Sequence, residues 1–400
     1  MIMTTPRIIG AIARREVRQI AADRWTLIAI TVMPLVMGVL LMLLYTRGVV
    51  RDLPTLVVDH DRSAASREFI RVLDAHESVN VIRTCESDAE GEAALRSGEA
   101  SVVVVIPGEF ESTLKRGGRG GLTCLLNGSN MVTSNYGLKA VTAAVTTASA
   151  GLAIDRLERK GTSAVHAAES YGPIAVSPCY VFNPGQNYAN FFVPGILAAL
   201  LQQVIVIGAA LTWVREFRSG GITDLVAISR NVFALAVGKL LVYLLIGAAW
   251  AVIFFVGLFS IARIPYTGSF LAGTALTLMM ITGMALLAML ISAFCSHRET
   301  AIQITFIVSS PAFLLSGYTF PQMAMTAVAR YVGCLVPLTP FLTGWRRVVL
   351  YEGGWADVSG QLLLLVCAIF TYGILMAFVI RRRIHAIPDC RPIPLLSGEA

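Results

Sequence analysis

Charge is what this chain lacks most. Only 14% of its 400 residues are charged, against 56% apolar, where a soluble globule carries roughly a quarter charged. The deficit sits in long uncharged runs, which argues against a wholly soluble fold and for membrane-spanning helices. Carboxylates are nearly absent from those runs, so a proton- or sodium-driven carrier, which needs ionisable groups at mid-membrane, is not expected. Lys239 and Glu299 lie near the ends of expected spans, where snorkelling is the cheaper explanation.

Several kinds of chemistry are missing as well. There is no GxxxxGK[ST] loop; Gly117–Gly121 is glycine-rich but lacks the Lys-Ser/Thr pair, so ATP hydrolysis by that route is not expected. No Ser/His/Asp or Cys/His arrangement stands out, and no catalytic residue, cofactor or metal is expected. The 7 cysteines include no CxxC pair. Cys85, Cys124 and Cys179 fall in one polar insert, where two of the three could pair in an oxidising compartment or all could be small buried hydrophobes. Asp59-His60-Asp61 offers metal-ligand types, but it follows a strand and precedes a helix, where Asp turns and caps are routine.

What is present is organised by the apolar runs. Residues 1–24 read as a cytoplasmic amphipathic interface helix. Arg7, Arg14, Arg15 and Arg18 fall within an arc of about 100° opposite Ile8, Ile9, Ile12, Val17 and Ile20, with only Glu16 misplaced. The first span follows at 25–45, and Pro34 inside it needs a neighbouring helix to satisfy the carbonyl it frees.

Residues 46–189 change character and read as an inserted α/β domain. Strands are expected at 54–58, 79–83, 101–106 and 122–126, with helices at 63–75, 88–97 and about 131–160, in a small partly parallel sheet. The nearly uncharged stretch 136–154 is rich in Ala and Thr and carries Lys139, so it reads as a soluble helix rather than a span.

The transmembrane bundle occupies 190–380, with spans near 191–213, 233–259, 270–294, 300–318 and 361–380, and a tail at 381–400. The fold class is therefore membrane α-helical, with about six spans and an inserted extracytoplasmic α/β domain. A stretch at 320–357, broken by Pro321, Pro337 and Pro340, suits a re-entrant segment. The net charge of +7 comes from arginines beside apolar runs, so it reads as a topology signal rather than a cue for nucleic acid. Arg24, Arg215, Arg218, Arg230, Arg298 and Arg381-Arg382-Arg383 then share one side, which makes both termini cytoplasmic and the insert external. Arg330, Arg346 and Arg347 oppose the rule but lie within the re-entrant stretch. A six-span chain without an engine should borrow one, and Val214–Asn231, with Arg215, Glu216, Arg218 and Asp224, is the one sizeable loop on the cytoplasmic side.

Four stretches then carry a resemblance to the ABC type-2 transporter permeases, in the branch with a large extracytoplasmic domain after the first span. They are Leu53-Pro54 through Val58-Asp59-His60-Asp61-Arg62-Ser63 and on to Ser66-Arg67; Asn127-Gly128-Ser129-Asn130; Phe192-Val193-Pro194-Gly195-Ile196; and Ser316-Gly317-Tyr318-Thr319-Phe320-Pro321 followed by Val336-Pro337-Leu338-Thr339-Pro340-Phe341. The resemblance implies that Arg215-Glu216, in an Arg-Glu-x-x-x-Gly pattern ending at Gly220, begins the ATPase-coupling segment. It implies that Gly317, Phe320, Pro321, Pro337 and Pro340 belong to a re-entrant outer gate. Thr223 where the family often carries a carboxylate, no proline near Ser229–Arg230, and Val336 in place of Asn are departures.

The function implied is the permease subunit of an ABC exporter in a bacterial inner membrane. It would pair with a second copy or paralogue, be driven by separate ATPase subunits that bind the ATP, and meet a periplasmic adaptor, with membrane lipid around it. Drugs, lipids or other amphipaths are the implied substrates. The alternatives are a non-transporting envelope protein that relays ATPase motion to its outer domain, and an ATPase-independent scaffold or receptor.

Overall fold

The computed structural model describes residues 5–45, 50–116, 118, 120–127, 131–159, 182–183, 187–218 and 220–385. The chain divides into two units, residues 49–179 and the sequence on either side of them. Cys179, Cys390, the turn 128–130 and the tail beyond His385 lie outside the described residues.

Helix α1 (Thr5–Ala22) buries Ile12, Glu16 and Ile20, a stripe at i, i+4 and i+8. Glu16 is therefore not the misplaced residue that the sequence suggests; it belongs to the buried stripe. Helix α2 (Arg24–Tyr45) is opened by Asp23, whose carboxylate accepts the Thr26 N–H at 3.3 Å and the Thr26 hydroxyl at 2.9 Å, an N-terminal cap. Pro34 lacks the N–H that would bond the carbonyl of Ile30. The indole N–H of Trp250 donates to that carbonyl at 2.8 Å, so a neighbouring span closes the gap.

The inserted unit is built on β1 (Leu53–Asp59), β2 (Val79–Cys85), β3 (Val102–Ile106) and β4 (Thr123–Leu126), in the order β2-β1-β3-β4. The pairs β1·β2 and β1·β3 are parallel and β3·β4 is antiparallel. Helices α3 (Ala64–Asp74) and α4 (Asp88–Ser97) make the crossovers, α5 (Phe110–Lys115) leads to β4, and α6 (Met131–Arg159) follows it. Val102, Val103 and Val104 are fully buried because parallel central strands are covered on both faces. Phe69 and Leu73 of α3 and Ala140, Val141 and Ala144 of α6 cover the face of Val57, Val102 and Val104, while Ala94 of α4 covers that of Leu56, Val58 and Val103. The stretch 136–154 is thus a helix packed on a sheet, as its composition suggests.

Asp59 accepts the Asp61 and Arg62 N–H groups and the Ser66 hydroxyl, and Asp61 accepts the Glu111 N–H. Asp59 thus binds the turn itself and Asp61 ties it to the start of α5, and no metal-holding group of three or more acidic, His or Cys residues exists among the described residues. Cys85 and Cys124 are free thiols packed into opposite faces of the sheet, so they do not pair with each other. Burial pushes the Cys124 thiol up to about 11.

The second unit continues with α7 (Tyr188–Ala209), α8 (Thr212–Arg218), α9 (Gly221–Ile228) and α10 (Val232–Val252), which runs through a π-helical turn into α11 (Phe259–Ala262). Then come α12 (Phe270–Phe294), α13 (Arg298–Ser309), α14 (Ala312–Leu315), α15 (Ala327–Cys334), α16 (Leu338–Leu350) and α17 (Trp355–His385). Among the described residues, five segments are long and apolar enough to cross a membrane, α2, 188–218, 232–262, α12 and α17, and the bent pair α15–α16 makes a sixth if it is one span.

The span expected at 300–318 is not one helix. It stops at Ser309, where Pro311 interrupts the helical hydrogen bonding, and the Gln202 side-chain amide donates to the Ser309 carbonyl at 2.9 Å. The broken segment still joins the two ends of the bundle. Arg298 pairs with Asp23 at the start of α2, and the Tyr318 hydroxyl donates to the Phe191 carbonyl at 2.7 Å, beside Tyr45 at the end of α2. Helices α15 and α16 meet at 87°, with Pro337 at the bend and Pro340 in the first turn of α16, where proline is tolerated. A pair bent in this way is either a broken span or a re-entrant segment, the second being the form expected of 320–357.

Candidate coupling site

The arginine-rich end of the bundle carries the densest polar chemistry. Gly220, at φ +70°, turns the chain from α8 into α9 in a conformation open mainly to glycine. Ser292 of α12 seats α8 by accepting the N–H groups of Trp213 at 3.0 Å and Val214 at 3.1 Å. One face of α8 is thereby directed inward, and Glu216 on that face is fully buried.

Three helices meet there. Glu216 accepts Arg15 Nη2 at 3.1 Å and Arg15 Nε at 3.4 Å, Gln19 Nε2 at 3.0 Å and Lys239 Nζ at 3.0 Å. Glu16 accepts Lys239 Nζ at 2.5 Å, the Tyr243 hydroxyl at 2.5 Å and the Thr212 hydroxyl at 3.1 Å. Lys239 does not snorkel: it is fully buried between the two carboxylates, with Nζ 5.4 Å from the centre of the Trp213 ring. Two cations and two anions cancel, which is the condition for keeping charge inside. Gly238 lets α1 approach, since a Cβ there would lie 2.8 Å from Ile12 Cβ. The network therefore locks α1, α8 and α10 together.

The four residues suggested as the coupling segment divide by environment. Glu216 faces inward and Arg215 donates to the Thr26 hydroxyl at 3.4 Å, whereas Arg218 is exposed. The Asp224 side chain is 71% exposed, with Arg15 Nη1 3.7 Å away. Beside them an open cleft of about 860 Å³ is lined in part by Asp23, Arg24, Arg215, Arg218, Arg298 and Glu299. Burial alone would raise the Asp23 carboxyl, but the Thr26 hydroxyl and N–H and the Arg298 guanidinium hold it below the ordinary value.

The suggested gate residues lie at the opposite end. Gly317 has φ +83°, and Gln322 Nε2 donates to Ser316 O at 2.9 Å across the turn. Arg346 on α16 donates to the Tyr318 carbonyl at 2.6 Å and the Gly317 carbonyl at 3.4 Å, with its guanidinium 4.4 Å from the Tyr318 ring centre. Arg347 donates to the Asp357 carbonyl at 2.5 Å. Arg346 thus braces the Gly317 turn on α16, and Arg347 ties α16 to the start of α17. Phe320 and Pro321 are exposed, while Pro337 and Pro340 are buried with α16.

A Cβ on Gly317 would meet Gln322 Cγ at 2.4 Å, and the left-handed backbone alone costs a non-glycine residue about 1–2 kcal/mol. Gly317→Ala is expected to lower the unfolding midpoint in mild detergent. Gly10→Ala, on α1 with nothing within 4 Å, is the control expected to hold or raise it.

Sequence reasoning missed Glu16, Lys239, Tyr243 and Thr212. Two signals pointed toward them: one carboxylate on an arginine-bearing face, and one lysine inside an apolar run.

The family model described as ABC-2 family transporter protein matches residues 24–378. The probable multidrug ABC transporter permease YbhS of Escherichia coli K12 is 25% identical over 351 residues, covering 86% of this chain and 89% of that protein. The probable multidrug ABC transporter permease YbhR of the same strain is 27% identical over 206 residues, covering 51% of this chain and 55% of that one.

Proposed function

The chain belongs to the ABC-2 family of transporter proteins and is a multi-pass membrane permease subunit of an ABC exporter, and on that premise we propose that a separate ATPase drives it through the α8–α9 turn. The observation that carries this reading is the buried ion network. A load applied to α9 passes through Glu216 to Arg15 on α1 and Lys239 on α10, so the segment moves spans rather than flexing alone. Packed elements of this kind shift between discrete arrangements instead of deforming continuously.

In this reading the arginine-rich end is cytoplasmic, both termini lie there, and the α/β unit lies outside a bacterial inner membrane. Arg24, Arg215, Arg218 and Arg298 gather on one cleft, and Arg383 donates to the Phe294 carbonyl at 3.1 Å. That clustering supports the orientation, because cytoplasmic span ends carry the excess of Lys and Arg. Two copies, or one copy and a paralogue, enclose the path. The relatives' naming as multidrug permeases supports amphipathic drugs as the substrate class.

The test is co-purification with the ATP-binding-cassette subunit from native membranes in mild detergent. Asp224→Arg reverses an exposed charge 3.7 Å from Arg15 Nη1 and leaves the buried Glu16–Lys239–Glu216 pairs in place. It is expected to cut ATPase recovery by about tenfold, as loss of a rim charge and gain of a repulsive one can, with the permease still folded by size-exclusion. Undiminished recovery would move the docking surface elsewhere.

A further inference from the structure

We propose that the open cleft at the arginine-rich end binds the phosphate of an anionic membrane lipid. It rests on the reading that this end meets the cytoplasmic membrane surface. The cleft sets four guanidinium groups, from Arg24, Arg215, Arg218 and Arg298, against the carboxylates of Asp23 and Glu299. Asp23 is already paired with Arg298, so the remaining balance is positive. Guanidinium is the side-chain group whose planar fork best matches a phosphate.

Depth and surroundings favour a lipid. Arg24 and Trp25 open the first span, the Arg24 guanidinium lies 5.5 Å from the Trp25 ring centre, and Trp25 is 71% exposed. Tryptophan and arginine at a span end mark the headgroup layer. From the walls of the cleft rise α2, with Leu27 and Ile28 exposed, and α13, with Ile302 and Phe306 exposed, which offer acyl chains an apolar surface. Basic pockets between span ends on the cytoplasmic side are where acidic headgroups settle. Bound there, the lipid would bridge the starts of α2 and α13 beside α8.

The test titrates the purified full-length protein, in neutral detergent, with dioleoyl phosphatidylglycerol or dioleoyl phosphatidylcholine and counts bound lipid by native mass spectrometry. Phosphatidylglycerol is expected to be retained preferentially. Arg24→Gln with Arg218→Gln is expected to weaken that retention by about tenfold or more, the size expected for two cations beside an acidic headgroup. Equal retention of both lipids, or an unchanged double variant, overturns the proposal. Millimolar glycerol phosphate is the third arm: if it displaces phosphatidylglycerol completely, the phosphate site stands and the lipid as its source does not.

Orientation is read separately, by labelling Thr223→Cys, in a background with the 7 native cysteines replaced by alanine, with an impermeant maleimide in intact cells and in everted vesicles. Labelling from the cell exterior overturns the functional reading and leaves the detergent result to judge the cleft by itself.

Discussion

Lys239→Met is expected to leave little folded protein after detergent extraction. The substitution keeps most of the side-chain volume and removes the cation that both Glu16 and Glu216 hold, at 2.5 and 3.0 Å. Both carboxylates are fully buried, and with Arg15 alone opposite them one negative charge is uncompensated. Breaking a buried pair from one side costs about 3–5 kcal/mol, a large share of the roughly 5–15 kcal/mol that holds a typical domain.

The decisive comparison is the double variant with Glu16→Gln. A glutamine still accepts from the hydroxyls of Tyr243 and Thr212, which reach Glu16 at 2.5 and 3.1 Å. Charge is then balanced again between Arg15 and Glu216, so most of the lost stability should return. Thermal unfolding followed by fluorescence-detected size-exclusion reads both variants. A single variant as stable as the parent, or a double variant no better than the single, would show that the lysine is not what neutralises this cluster.

The parts legible in the sequence are those whose physics is local. Long uncharged runs mark the spans because hydrocarbon admits little else. Four successive valines mark a strand covered on both faces, and Pro34 announces that a neighbour must donate to the Ile30 carbonyl. The break at Ser309–Pro311 was readable only as a proline in an apolar run; that it ends the helix depends on Gln202, 107 residues away.

The site was legible only in outline. The charges of Val214–Asn231 drew attention, and Arg218 and Asp224 are exposed there. Glu216 turns inward because Ser292 orients α8 and because α1 and α10 close over it. Glu16 and Lys239 are 223 positions apart, so no periodicity joins them. Each had a cheaper local explanation, a misplaced carboxylate and a snorkelling lysine, which only their meeting overturns. Arg346 and Arg347 likewise read in the sequence only as exceptions to a charge pattern, and their hydrogen bonds to the carbonyls of Gly317, Tyr318 and Asp357 depend on the fold.

Arg346→Met is expected to separate the two ends of the machine. The guanidinium is the donor for the carbonyls of Tyr318 and Gly317, and it lies 5.5 Å from the Phe191 ring centre as well as over Tyr318. Tyr318 in turn fills the space beside Gly195, where a Cβ would come within 2.3 Å of its ring. Methionine keeps the bulk and supplies no donor, so the Gly317 turn loses its brace on α16. Because α7 runs from this contact to α8, a loosened hairpin no longer gives the moving spans a fixed partner at the end opposite the α8–α9 turn. The ATPase should still co-purify and hydrolyse ATP, since Asp224 and the buried network are untouched, while substrate efflux into everted vesicles falls by about tenfold or more, as for loss of a half-buried charge-assisted hydrogen-bonding group. Arg346→Lys keeps the charge without the planar fork and should recover only part of the efflux. Undiminished efflux in Arg346→Met would remove the hairpin from the transport cycle, and loss of ATPase recovery would mean that the two ends are one structural unit rather than a driven end and a gating end.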